Sequence, residues 1–164
     1  MDNSTNYNFL INDNQRSLQS EFRPVLEHYF QKVFDYEHAL IGPGENDPTP
    51  AQVKERMQQW VDIINFAVFA VPKGEDGQTR GILLGNSVNP GEIDVLFVHE
   101  SFRSQKIGAG LIAKFQRTRP TTPLTVEVNV VNHRAKRFYE ELGFVFQAEN
   151  PENPAVVKGT RPLS

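Results

Sequence analysis

The feature that most constrains this fold lies at residues 92–117. An apolar strand ends in a turn carrying Gly108 and Gly110, and the chain restarts at once as a helix with Leu111, Ile112 and Phe115 in register. A strand feeding straight into an amphipathic helix belongs to a layered structure with helices packed on a sheet. The remaining chain has the same alternation. Tyr7, Phe9 and Ile11 alternate with polar residues and read as an edge strand. Leu18, Phe22, Val25, Leu26, Tyr29, Phe30, Val33 and Phe34 fall three and four apart and predict a helix. Thr49 and Gln52 make a capping box, with Pro50 at the first helical position, for a second helix carrying Val53, Met57, Trp60 and Val61. The apolar run 66–71 reads as a strand covered on both faces, and 81–87 and 92–98 follow it as a meander reversing at Asn89-Pro90-Gly91. A strand at 124–128, a helix at 134–142 closed by Gly143, and short strands at 144–146 and 155–158 complete the order.

A chain of 164 residues is expected to form one domain, 1–164, with room for a proper core. Seventeen basic residues against twenty acidic ones give a net charge of -3, which supplies no global field to hold a polyanion, so a nucleic-acid binder is disfavoured. The absence of cysteine removes disulfides, thiolate metal sites and a cysteine nucleophile together. His28, His38, His99 and His133 show no metal-ligand spacing, so no metal is expected. The polar first residues lack the pattern of a signal peptide, and the greasiest stretch, 63–71, is too short to span a bilayer. A soluble cytoplasmic protein without a membrane partner is the expectation.

The turn before the third helix offers chemistry. Gly108 and Gly110 let ligand oxygens approach backbone amides, and a helix N-terminus supplies unsatisfied N–H groups with the positive end of its dipole. Arg103, Gln105 and Lys106 add donors around it. No Gly-Lys-Ser/Thr closes the loop as in a Walker motif, and the dinucleotide Gly-x-Gly-x-x-Gly pattern is absent. Further on, Asn132 reads alone as an N-cap and Tyr139 as a boundary aromatic.

Taken together, Gln105-Lys106-Ile107-Gly108-Ala109-Gly110 and Asn132-x-x-Ala135-x-x-Phe138-Tyr139-x-x-x-Gly143-Phe144 resemble the two signatures of the GNAT superfamily of acyl-coenzyme A dependent N-acetyltransferases, in that family's order and spacing. The likeness runs over residues 92–144, while residues 1–91 are similar only in layout. Lys106 departs from the pattern, because many members carry glycine there. A residue at a helix start need not have positive φ, so the departure is expected to be tolerated.

The resemblance implies an α/β (α+β) GNAT fold: a mixed, mostly antiparallel sheet of six or seven strands with helices on both faces. It implies acetyl-CoA as the acyl donor and an amine, on a small molecule or a protein, as acceptor. Strands 92–98 and 124–128 would splay to admit the pantetheine arm, bonded by backbone groups of Leu96 and Val98. An amide near Phe97 or Val98 would polarise the thioester carbonyl. The amides of Lys106, Ile107, Gly108, Ala109 and Gly110 would hold the pyrophosphate, and Asn132 would approach from the other side. Arg134, Lys136 and Arg137 would reach the adenosine phosphate, or form a solvated basic face.

A lysine amine has a pKa of about 10.4 and an α-amine about 7.7–8, so a base matters at neutral pH. Glu92 and Asp94 rank equally for that role, with Glu127 after them; otherwise all three are solvent-facing strand charges. Tyr139 would be the general acid on sulfur. Asp35, Glu37, Glu45 and Asp47, in the expected loop 35–48, would suit a cationic amine or merely aid solubility. Homodimers are common in such a family. A non-catalytic acyl-CoA binding module and transfer of a larger acyl group stand as alternatives.

Overall fold

The computed structural model describes residues 6–14, 23–41, 49–74, 78–86, 88–148, 151 and 154–163. Among them the order is β1 (Tyr7–Asn12), α1 (Arg23–Ile41), α2 (Pro50–Ile63), β2 (Phe66–Pro72), β3 (Gly81–Gly85), β4 (Glu92–Ile93), β5 (Val95–Val98), a 3-10 helix (Glu100–Gln105), α3 (Ile107–Thr118), β6 (Leu124–Asn129), α4 (His133–Glu141), β7 (Val145–Phe146) and β8 (Val156–Arg161). The strands form two four-stranded sheets, β1-β2-β3-β5 and β4-β6-β8-β7, antiparallel except for the parallel pair β4-β6. The expected α/β class with a mostly antiparallel arrangement holds. The count differs from six or seven because the predicted strand 92–98 is broken at Asp94 into β4 and β5.

β2 explains the layering. Its side chains alternate, so Phe66, Val68 and Ala70 join the core with Ile107, Leu111, Ile112 and Phe115 of α3. Ala67 and Phe69 face the other way, into a second cluster with Leu26 of α1 and Met57 of α2. Helices therefore cover both faces, and β2 is buried from Phe66 to Ala70 as its apolar run predicts. Each fully buried aliphatic or aromatic side chain contributes on the order of 1.5–3 kcal/mol, an upper figure because the unfolded chain already hides some surface. The capping box at α2 forms as read: the Gln52 amide donates to Thr49 Oγ1 (3.2 Å), and the Thr49 amide donates to Gln52 Oε1 (2.9 Å). Gly143 closes α4 at φ 93°, with the Phe144 amide reaching back to the Tyr139 carbonyl (3.0 Å). No described helix is long and apolar enough to cross a membrane.

Several boundaries move. α1 runs to Ile41, so Asp35 and Glu37 stand on a helix and not in a loop; Asp35 accepts from Gln31 Nε2 four residues earlier (2.8 Å). Glu45, Asp47, Leu18, Phe22 and Ser87 lie outside the described residues, as do the side chains of Val25, Tyr29, Phe30, Val33, Phe34, Glu37, Trp60 and Val61. The last strand continues to Arg161 and is central in its sheet, between β6 and β7, because Gly159 lets the Phe146 ring lie against it. A Cβ on Gly159 would sit 2.8 Å from that ring.

Candidate active site

A cleft forms where the strand leaving Gly91 changes partners. Glu92 and Ile93 pair in parallel with Thr125 and Val126 of β6. The Asp94 amide then donates to the Leu84 carbonyl (2.9 Å), and from Val95 the chain pairs with β3. β5 and β6 therefore diverge, and the gap is a cleft of about 290 Å³ lined by residues of β5, β6, α4 and the start of α3.

Register decides which backbone groups face it. The His99 amide donates to the Arg80 carbonyl (2.8 Å) in step with the β3-β5 ladder. Antiparallel alternation then turns the backbone of Val95 and Phe97 toward β3 and that of Leu96 and Val98 toward the cleft. Of the two candidate amides for polarising a carbonyl, Phe97's is thus spent on β3, which leaves Val98's. The Val98 carbonyl accepts from Arg103 Nε (3.2 Å), fixing that arginine beside the cleft. Across the gap, the Val130 amide bonds to the Ala155 carbonyl (2.9 Å), which by the same alternation turns the backbone of Glu127 and Asn129 away from β8 and toward the gap.

At one end of the cleft is the N-terminus of α3. Its N-cap, Lys106, makes no side-chain cap bond. The amides of Ile107, Gly108 and Ala109 have no acceptor within the helix, whereas the Gly110 amide already donates to the Lys106 carbonyl (3.2 Å). The amide cradle expected over 106–110 therefore loses Gly110 and keeps the three helix amides of 107–109. Arg103, Lys106, Gly108 and Arg134 line this region. Free amides with cations beside them suit a polyphosphate.

Lys106 itself corrects an expectation. It sits at φ 58°, ψ 27°, the only non-glycine at positive φ among the described residues, so this position does use the left-handed region. The glycines after it serve packing as well: a Cβ on Gly108 would lie 2.9 Å from Phe138 Cζ, and one on Gly110 would lie 2.2 Å from Phe9 Cζ.

The carboxylates separate. Asp94 lines the cleft at the strand break and accepts from Asn86 Nδ2 (2.8 Å). Burial raises its pKa above the ordinary carboxylate value; the Asn86 bond opposes this, and the nearby Glu92 charge adds to it. Glu127 is exposed and lines the cleft, while Glu92 is half-buried and does not. Tyr139 lines the cleft and belongs to the core, packed edge-on against Phe138 and Phe144 at centroid distances of 5.1 and 5.2 Å. Burial pushes its hydroxyl well above the usual phenol range. Asn132 lines the cleft and caps α4, accepting from the Ala135 amide (3.0 Å). Gln105, Ile107, Ala109 and Gly110 lie outside the lining; Ile107 is buried in the core, and Gln105 accepts from the Tyr7 hydroxyl. On α4, Lys136 lies 5.9 Å from the Phe146 ring, and Arg137 is exposed.

Asn86 was invisible as a site residue. Its signal was its place three residues before Asn89, whose amide donates to Asn86 Oδ1 (2.9 Å), which makes it part of the turn and holds its Nδ2 on Asp94.

No curated protein matches the chain significantly in sequence. Among solved structures it is similar to an acetyltransferase from Thermus thermophilus, at 20% identity and TM-score 0.65, covering 96% of this chain and 97% of that one. It is similar also to the PaiA N-acetyltransferase of Thermoplasma acidophilum, a structure in complex with coenzyme A, at 12% identity and TM-score 0.63, covering 94% and 98%. Apo-form YjaB from Escherichia coli is alike at 18% identity and TM-score 0.59, covering 93% and 95%. At these identities the likeness is one of fold. A family model described as an acetyltransferase (GNAT) domain matches residues 48–160, which includes the strand break, the α3 turn and α4. The chain belongs to the GNAT acetyltransferase family.

Proposed function

We propose that this chain, as a single domain, moves an acetyl group from acetyl-CoA to a primary amine by direct transfer in a ternary complex. The observation that carries the reading is the break at Asp94. It brings a carboxylate, the outward amides of Leu96 and Val98, the Tyr139 side chain and the uncapped start of α3 to one cleft. The donor set fits a coenzyme A thioester: amides and cations at the α3 end for phosphates, and strand edges for an amide-rich arm. Bound there, acetyl-CoA would supply an activated acyl group.

The residues divide the remaining work. Asp94 takes the proton that leaves the acceptor ammonium, and its raised pKa makes it a stronger base than an ordinary carboxylate. The Val98 amide donates to the carbonyl oxygen as charge gathers on it. Tyr139, kept neutral by burial, holds a proton for the departing sulfur.

The test is release of free thiol from acetyl-CoA in the presence of a panel of amines. We expect release only with an amine present, and we expect Tyr139→Phe to lower kcat by about 10²–10⁴-fold while the affinity for coenzyme A changes little. Thiol release that ignores the amine would contradict direct transfer, and full turnover in Tyr139→Phe would remove the general-acid role.

A further inference from the structure

The turn that leads into α3 is held by two residues outside the lining of the cleft. Tyr7 opens the edge strand β1, and its side chain is buried. Its hydroxyl donates to Gln105 Oε1 and accepts from Arg80 Nη1 (3.3 Å). The Arg80 guanidinium also lies over the Phe102 ring, 4.0 Å from its centroid, and its carbonyl holds the His99 amide (2.8 Å). Phe102 and Gln105 both belong to the 3-10 helix that joins β5 to α3. The start of α3 is further packed by Phe138 against Gly108 and by Phe9, also on β1, against Gly110.

This bracing acts on one strained residue. Gln105 immediately precedes Lys106, whose left-handed backbone is unfavourable for a side chain with a Cβ and persists only where its surroundings over-determine it. Without a hold on Gln105, Lys106 can relax, and the amides of Ile107, Gly108 and Ala109 then lose their common aim.

We propose that Tyr7 and Arg80 are positioning residues for the coenzyme: through Gln105 and Phe102 they keep the phosphate-binding turn in its binding-ready form. This rests on the acyl-CoA reading of the cleft. It assigns to the first strand, which lies outside the region carrying the family signatures, a part in donor affinity.

The experiment titrates coenzyme A calorimetrically into the wild-type chain, Tyr7→Phe, Gln105→Ala and their double variant, and measures kcat, the KM for acetyl-CoA and Tm for each. Tyr7→Phe removes only the hydroxyl. We expect its Kd for coenzyme A and its KM for acetyl-CoA to rise about five-fold, the scale of one hydrogen bond, with kcat at saturating donor unchanged. We also expect the double variant to lose less affinity than the two single losses added together, because both variants break the same Tyr7–Gln105 bond. Arg80→Lys, which keeps the charge but not the planar stack, is expected to show the same KM-only loss and serves if Tyr7→Phe fails to fold. Unchanged coenzyme affinity, losses that simply add to those of Gln105→Ala, or a fall in kcat and Tm matching the loss of affinity would each overturn the proposal. Wild-type chain that binds no coenzyme A would overturn the functional reading beneath it, an outcome distinct from normal binding by the variants.

Discussion

At the scale of single residues, Asp94 is where a charge, a strand break and the cleft coincide. Its folded pKa is raised above the ordinary carboxylate value, so the native state holds this proton more tightly than the unfolded chain. Stability from this group is therefore present at low pH and is lost as pH rises from the unfolded value of about 3.8–3.9 through the folded one. At neutral pH the ionised side chain works against folding. Asp94→Asn, which still accepts from Asn86, is expected to lower kcat/KM by about 10²–10³-fold while Tm stays level or rises. Parallel losses of activity and Tm would make Asp94 structural. The same pKa should set the acidic limb of the wild-type profile of kcat/KM against pH, and that limb should move in the variant. Lys106→Gly removes left-handed strain of about 1–2 kcal/mol and costs about 0.5–1 kcal/mol in unfolded-chain entropy, so thermal unfolding should show a small net gain, and a lower Tm would refute it. Glu92 and Asp94 ranked level in the sequence, with Glu127 after them, because what separates the first two is burial and the Asn86 bond, both made by pairing beyond the strand itself. Tyr139 and Asn132 read alone as a boundary aromatic and an N-cap, and only the resemblance of the whole α4 segment to the family signature pointed them at the cleft that both line.

Elements were legible where their signal is local and lost where a partner decides. The capping box at Thr49, the buried run of β2 and the Gly143 cap follow from neighbouring residues alone. Residues 92–98 read as one strand, yet they pair first with β6 and then with β3, a change of partner that no local pattern records. The 3-10 helix is capped locally, the Ser101 amide donating to His99 Nδ1 (3.2 Å), but its packing comes from Arg80 and Tyr7, far away in sequence. Gly110 shows the same division. As the fourth residue of α3 it would gain up to about 1 kcal/mol from alanine by helix propensity. The Cβ would lie 2.2 Å from Phe9 Cζ, however, and overpacking of that degree costs about 1–3 kcal/mol. Gly110→Ala should therefore destabilise the chain in urea or thermal unfolding, and Phe9→Leu in the same molecule should recover part of the loss. Equal or greater stability in Gly110→Ala alone would show that β1 yields freely to α3.

On the scale of the whole molecule, layered α/β architecture was legible from element order, whereas the division into two sheets was not. The sheets meet at β4, where a chain only two residues long in pairing with β6 passes through Asp94 into β5. Beyond that point the outward backbone groups of Leu96 and Val98 face those of Glu127 and Asn129 across the cleft with no strand between them. The carbonyls of Val98 and Asn129 already accept from Arg103 Nε and the Asn132 amide, so a ligand lying there bonds to the remaining edge groups, and it also ties the two sheets together along their open edge. Binding should stabilise the whole chain and quieten this seam most. With coenzyme A at one hundred times its Kd, mass action gives about 2.7 kcal/mol, which for a chain of this size raises Tm by about 5–10 °C. Hydrogen exchange should show extra protection at the amides of Leu96, Val98, Ile107, Gly108 and Ala109, above that at the β2-β3 ladder, whose bonds are already complete. A rise in Tm with protection spread evenly over the molecule, or gathered on α1 and α2, would place the ligand elsewhere and detach the split sheet from the chemistry.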